Sequence, residues 1–186
     1  MQFASTPTQS RLDRFTQFPR VNTLIGLNPT VFTACRYMNS DFDGVVVTRK
    51  QADAAHRNFL CPDKVAMVKA LCDRTGARVV ISSTWRVSHD CRDALAAAGL
   101  GPTYLFDDWA TPLDVDCDDD VSARGLEIAQ HVQANKIDRY VILDDMPVLK
   151  SQAARHVQPD PTVGITQAQM DLAFVLITNP MDAAHA

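Results

Sequence analysis

Asp41 and Asp43 stand two apart, are followed at once by Gly44, and lead into the β-branched run Val45-Val46-Val47. In an extended chain alternate side chains share a face, so the two carboxylates point the same way. Such a knot of negative charge either holds a divalent cation or costs repulsion. Two further polar groups follow apolar runs. Ser82, Ser83 and Thr84 come after Ala77-Arg78-Val79-Val80-Ile81, and Asp144-Asp145 come after Tyr140-Val141-Ile142-Leu143. Four converging carboxylates repel one another, but with Mg²⁺ they become hard oxygen ligands that leave room for water and a phosphate oxygen. A hydroxyl of the second group can donate to that phosphate, and the guanidinium of Arg86 or Arg124 suits phosphate oxygens geometrically. In outline this is phosphoryl transfer: positioning, charge neutralisation and one nucleophile.

The elements that must position these residues alternate between strand and helix from about Tyr37 onward. A weakly apolar strand, Tyr37-Met38-Asn39-Ser40, is expected to lead into Asp41. Pro62 at a first helical position and Gly76 as a stop predict a helix over 62–75, with Val65, Val68, Leu71 and Cys72 on its apolar face. A strand over 77–82 follows, then a helix capped by Ser88 that stops at Gly99, and a short strand over 103–106. Ser122 caps a helix through about Ala134, with Leu126, Ala129 and Val132 inward and Asn135 as its stop. Tyr140 to Leu143 is a buried strand and His156-Val157-Gln158 a last short one. Thr166-Gln167-Ala168-Gln169 has the form of a capping box before a helix to about Ile177. This alternation implies an α/β domain with a parallel sheet covered on both faces, whose ligands bind beyond the carboxyl ends of the strands. All three polar groups are expected at such ends.

At 186 residues, with 46% hydrophobic and 22% charged residues, the chain has the composition of one globular domain with a sizeable core. No apolar run approaches the ~20 residues of a bilayer span, and no signal peptide is read, so a cytoplasmic location without a membrane partner is expected. Cys35, Cys61, Cys72, Cys91 and Cys117 are odd in number, dispersed, and form no CxxC, which argues for core residues over disulfides or zinc. The net charge of −4 argues against a general nucleic-acid coat. Residues 1–36 nevertheless carry Arg11, Arg14, Arg20 and Arg36 against Asp13 alone. They read as an extension: a tail, or a basic arm that holds a polyanionic substrate. Residues 37–186 form the domain. The run Asp114, Asp116, Asp118, Asp119 and Asp120 reads as a solvated loop, and Trp85 as a packing residue.

The arrangement resembles the haloacid dehalogenase (HAD) superfamily of phosphatases: Asp41-Phe42-Asp43-Gly44-Val45 matches its first motif, Ser82 its second and Asp144-Asp145 its fourth. Arg124 is the better candidate for the basic third motif, usually lysine, and Lys136 the lesser one. A closer resemblance is to the HAD domain of Swiss Army Knife RNA-repair proteins. It is carried by Val80-Ile81-Ser82-Ser83-Thr84-Trp85-Arg86, Arg124 with Glu127-Ile128, Tyr140 to Asp145, His156-Val157-Gln158 and Gly164-Ile165-Thr166. The resemblance implies a three-layer Rossmann-like HAD fold. Short spacings between the motifs leave little or no room for a cap domain. It implies that Asp41 is the nucleophile that forms an aspartyl-phosphate and Asp43 the acid, then base. Mg²⁺ would be held by Asp41, the backbone carbonyl of Asp43, and Asp144, with Asp145 direct or through water. Ser82, or its neighbour Ser83, and Arg124 would bind the phosphoryl group. Arg86 is either a further phosphate ligand or a structural ion pair.

An uncapped site is expected to admit the phosphorylated end of a macromolecule, which favours RNA or DNA ends and a role in nucleic-acid repair. The alternatives are a phosphatase of a small metabolite, nucleotide or phosphoprotein, and a non-catalytic partner-binding module. A phosphorelay receiver is disfavoured, because its adjacent acidic pair lies on the first strand and here the pair is near the end. Oligomeric state is not encoded in any of these features.

Overall fold

The structure, a computed structural model, describes residues 30–33, 44–47, 60–87, 90–113, 115 and 122–179. Five parallel strands form its sheet: β1 (Thr30–Thr33), β2 (Arg78–Ile81), β3 (Leu105–Ala110), β4 (Tyr140–Leu143) and β5 (His156–Val157). The helices are α1 (Pro62–Thr75), α2 (Cys91–Ala97), α3 (Ala123–Ala134) and α4 (Gln167–Thr178). Strand order is β3-β2-β1-β4-β5. The chain therefore winds outward from β1 to β3, then returns to the other side of β1 to lay down β4 and β5. That reversal puts the switch point at the carboxyl ends of β1 and β4, where sheets of this kind bind ligands.

The register makes this edge flush. Thr33 is paired with Ile81 on one side and Leu143 on the other. Ser82 and Asp144 are thus the first residues past the sheet on the two strands flanking β1, two strand spacings or about 10 Å apart.

The middle strand is not where the sequence suggested. The strand expected over 37–40 lies outside the described residues, and β1 falls at Thr30–Thr33, within the stretch read as an extension. All four residues of Thr-Val-Phe-Thr are β-branched or aromatic, whereas Tyr-Met-Asn-Ser has one such residue and a strand-disfavouring Asn, so strand propensity favours the observed segment. Other elements follow their local signals. α1 begins with Pro62 and ends where the Gly76 N–H bonds the Cys72 carbonyl at 2.8 Å. α4 has its capping box, with Thr166 N–H on Gln169 Oε1 at 3.0 Å. The expected cap Ser88 lies outside the described residues, and α2 begins at Cys91. A 3-10 turn occupies Pro102–Tyr104, so β3 starts later and runs further than expected.

Alternate strand residues feed two apolar clusters. Val79, Ile81, Val141, Leu143 and Val157 join the buried faces of α1, α2 and α4. Val80 and Ile142 meet Ile128 of α3, with Val132 and Tyr140 beside them. Cys61, Cys72 and Cys91 are buried free thiols, and burial pushes the Cys72 pKa up to about 12. Trp85 is a core residue.

The inward face of α3 is Gly125, Ile128 and His131, one step from the expected Leu126, Ala129 and Val132. Gly125 decides it. A Cβ there would lie 2.6 Å from Leu149 N and 2.8 Å from its Cγ, so only glycine allows the helix start to seat on the loop behind β4. Gln152 closes the joint, donating to the Gly125 carbonyl at 2.9 Å and accepting from Leu149 N–H at 3.0 Å. Gly125→Ala should cost about 1–3 kcal/mol in urea denaturation; unchanged stability would show that α3 can shift freely.

His131 is buried with Nδ1 3.5 Å from Asp108 Oδ2. Burial lowers its pKa below the ordinary value, outweighing Asp108 and the Ala110 carbonyl, which raise it. The imidazole is therefore neutral in the fold. Its contribution is present above the unfolded pKa of about 6.5 and is lost as pH falls through the lower folded value. The stability advantage of wild type over His131→Gln should shrink between pH ~7.5 and ~5.5. An advantage that grows on acidification would mean a charged pair with Asp108.

Candidate active site at the carboxyl edge

Ser82 and Ser83 leave β2 fully buried, and a 3-10 turn over Thr84–Val87 follows at once. The turn is tied by Trp85 N–H to Ser83 Oγ at 3.2 Å and Arg86 N–H to the Ser83 carbonyl at 3.1 Å. Both candidate hydroxyl residues thus sit at the edge, as expected.

On the other flank Asp144 leaves β4 with no exposed surface. Its Oδ1 accepts from Met146 N–H at 2.9 Å. Its Oδ2 is buried and accepts no hydrogen bond among the described residues. Burial raises the Asp144 pKa to about 7, against the lowering influence of Arg124 and the Met146 N–H and with Asp145 and Glu127 adding to the rise. A buried carboxylate with an oxygen left over is one whose charge wants a cation.

The backbone of this acidic pair is held from β5. His156 Nε2 lies 2.7 Å from the Asp144 carbonyl, and since a carbonyl only accepts, the imidazole carries its proton there. Gln158 Nε2 donates to the Asp145 carbonyl at 2.8 Å. These are structural roles.

Asp41 and Asp43 lie outside the described residues, but Gly44, the covalent neighbour of Asp43, is described. It has φ +75°, and a Cβ on it would lie 2.5 Å from the Asp145 carboxyl carbon. The glycine of the first motif is therefore in contact with the second residue of the fourth. Val45, Val46 and Val47 behind it are buried, with Cys61 N–H on the Val46 carbonyl and Ile165 N–H on that of Val45, both at 2.9 Å.

Arg124 and Lys136 are separated by the length of α3, about 18 Å. Arg124 is at the helix start, with Nε 3.7 Å from Asp144 Oδ2 and Nη1 2.9 Å from Glu127 Oε2. Lys136 is exposed beyond the far end, at the amino side of β4. Arg124 is thus the cation beside the acidic pair.

For Arg86 the geometry realises the ion-pair alternative. Its Nε donates to the Thr111 carbonyl at 3.0 Å, Nη1 to the Ser82 carbonyl, and Nη2 to the Pro112 carbonyl at 3.1 Å. Nη2 also meets Glu127 Oε1 at 3.0 Å, and the side chain is only 2% exposed. Arg86 clamps the edge. Two residues at this edge escaped the sequence reading as site members. Glu127 joins Arg86 to Arg124, and no local pattern reports a partner so distant in the chain. Thr111, just past β3, bonds the Ile81 carbonyl through its N–H at 3.0 Å and keeps a buried hydroxyl with no hydrogen-bond partner among the described residues.

Among the described residues no three His, Cys, Asp or Glu side chains form a metal cluster. Those residues include Asp144 and Asp145 but neither Asp41 nor Asp43. The described ones between the second motif and α3 form α2, a 3-10 turn and β3, with no separate lid. No described helix is long and apolar enough to cross a membrane.

The chain matches, over residues 40–170, the model of the family described as the HAD domain in Swiss Army Knife RNA repair proteins. The match spans more than half of the sequence, and the chain belongs to this family. No curated protein and no solved structure matches it. Membership supports HAD-type phosphohydrolase chemistry in general and agrees with the parallel α/β sheet.

Because the buried Arg86 pairs with a partly buried glutamate and three carbonyls, Arg86→Ala should destabilise the protein by about 3 kcal/mol in urea denaturation. Unchanged stability with a raised KM would instead make it a substrate ligand.

Proposed function

We propose that the protein is a Mg²⁺-dependent phosphomonoesterase of the three-layer HAD type, working through an aspartyl-phosphate on Asp41 and acting on phosphorylated RNA or DNA ends. The observation that carries the reading is the contact of Gly44 with Asp145. It brings the glycine that follows Asp43 against the second acidic pair, where Asp144 is buried with an oxygen to spare. This donor set suits a hard divalent cation: Asp41, the backbone carbonyl of Asp43, Asp144 and Asp145 would hold Mg²⁺, and when bound it supplies positive charge to the phosphoryl oxygens.

The protein's own groups do the rest. The Asp41 carboxylate attacks phosphorus as the bond to the leaving oxygen breaks, and Asp43 gives that oxygen its proton. Water then attacks the phosphoaspartate, its proton passes to Asp43, and inorganic phosphate leaves with Asp41 restored. Ser82 donates to the transferring group, with Ser83 bracing the turn, and Arg124 offers positive charge from the α3 start. The family description favours nucleic-acid ends as substrate, as does the absence of a lid among the described residues, since an open site admits a strand terminus.

The test is phosphate release, with Mg²⁺ and with chelator, from an aryl phosphate and from 3′- and 5′-phosphorylated RNA and DNA oligonucleotides. The expected result is Mg²⁺-dependent release from an oligonucleotide end, lowered by about 100-fold or more in Asp41→Asn. Release from the aryl phosphate alone would reject the nucleic-acid substrate. Equal rates for wild type and Asp41→Asn would reject the mechanism.

A further inference from the structure

Four charged groups from three segments form one chain, buried at both ends and partly buried between: Arg86 after β2, Glu127 and Arg124 on α3, and Asp144 after β4. Arg86 Nη2 meets Glu127 Oε1 at 3.0 Å, Arg124 Nη1 meets Glu127 Oε2 at 2.9 Å, and Arg124 Nε stands 3.7 Å from Asp144 Oδ2. The side chains of Arg124 and Glu127 are 13% exposed, so water screens these charges little. The distances are unequal in a telling way. Both contacts to Glu127 are hydrogen-bond lengths, whereas 3.7 Å is too long for one. Arg124 is close enough to attract Asp144 and too far to occupy its oxygen.

We infer that Glu127 is a positioning residue whose two oxygens hold Arg124 back from Asp144, keeping Oδ2 available to a divalent cation, and fix that spacing to the Ser82 segment through Arg86. The inference rests on the reading of Asp144 as a cation ligand. Arg124 and Glu127 are three apart and share a helix face, which fixes the direction of the tether. Glu127 is itself immobilised by Arg86, whose Nη1 also holds the Ser82 carbonyl. Without the glutamate charge, Asp144 is the acidic group among the described residues that still pairs with Arg124. A guanidinium closing on Oδ2 competes directly with a metal ion for the same lone pairs. Partners behind a metal ligand commonly govern affinity by 10–100-fold, and this one acts by withholding a competitor.

The experiment is calorimetric titration of the full chain with Mg²⁺ alone, in wild type and Glu127→Gln, with Mg²⁺-dependent thermal shift beside it. Wild type should bind Mg²⁺, and Glu127→Gln should bind it about tenfold or more weakly. In turnover, the variant's Mg²⁺ requirement should rise while KM for an aryl phosphate at saturating Mg²⁺ stays near wild type. A merely structural glutamate would lower thermal stability and leave the Mg²⁺ affinity of the folded protein unchanged, and that result overturns the inference. If Glu127→Gln does not fold, Glu127→Asp serves: it keeps the charge but shortens the arm, and wild-type Mg²⁺ affinity in it also overturns the inference. Wild type that binds no Mg²⁺ removes the reading of Asp144 on which the inference rests. Wild type that binds Mg²⁺ with equal affinity in the variant removes only the role of Glu127.

Discussion

Asp144 has no exposed surface, so its charge must be balanced by neighbouring groups or a bound cation and not by solvent. It occurs where β4 runs out beside the switch point of the sheet, so this demand falls on the chain's functional edge. Burial alone drives its carboxyl toward protonation. Opposing this are the Met146 N–H and, at a distance, Arg124. Much of the surrounding structure follows from keeping those opponents in place. Gly125 has no side chain so that α3 can start beside the loop after β4. Ser122 Oγ caps the helix by accepting from Gly125 N–H at 3.0 Å and donates to the Pro147 carbonyl at 2.7 Å. His156 and Gln158 grip the two aspartate carbonyls from β5. Helix start, loop and edge strand are one unit around one carboxylate.

The same arrangement explains why the site is built on strand ends and not on a loop of its own. Three paired strands hold their last residues in register, and the residues past β2 and β4 are aimed by a rigid ladder. Ser82 and Asp144 inherit their separation from the pairing with β1. Arg86 then stiffens the β2 end by taking carbonyls from Ser82, Thr111 and Pro112, which ties the exits of β2 and β3 together.

Much of this was legible in the residues. α1 announced itself with Pro62 and Gly76, α4 with its capping box, β4 with an unbroken aliphatic run, and the polar groups after β2 and β4 stood out as punctuation. What was hidden had physical reasons. β1 is four residues inside a Thr-, Asn- and Pro-rich stretch, and its place in the middle of the sheet comes from pairing on both sides, which no local pattern reports. The inward face of α3 uses a glycine and a histidine, which a count of apolar residues passes over. β3 carries Asp107 and Asp108 in an edge position, where charge is tolerated and masks a strand. Arg86 could not be assigned from type alone, because a guanidinium suits a phosphate and a buried glutamate equally well; only the position of Glu127 decides.

The central claim is that the acidic groups gathered at this edge serve a covalent phosphoryl transfer to Asp41. It is tested most directly by acid-quenching the protein during turnover with Mg²⁺ and a phosphorylated substrate and locating any acid-stable phosphoryl group by peptide mass spectrometry. The account predicts a phosphoryl group on Asp41 that is absent without Mg²⁺ and absent in Asp41→Asn. Turnover with the phosphoryl group on another residue would contradict it.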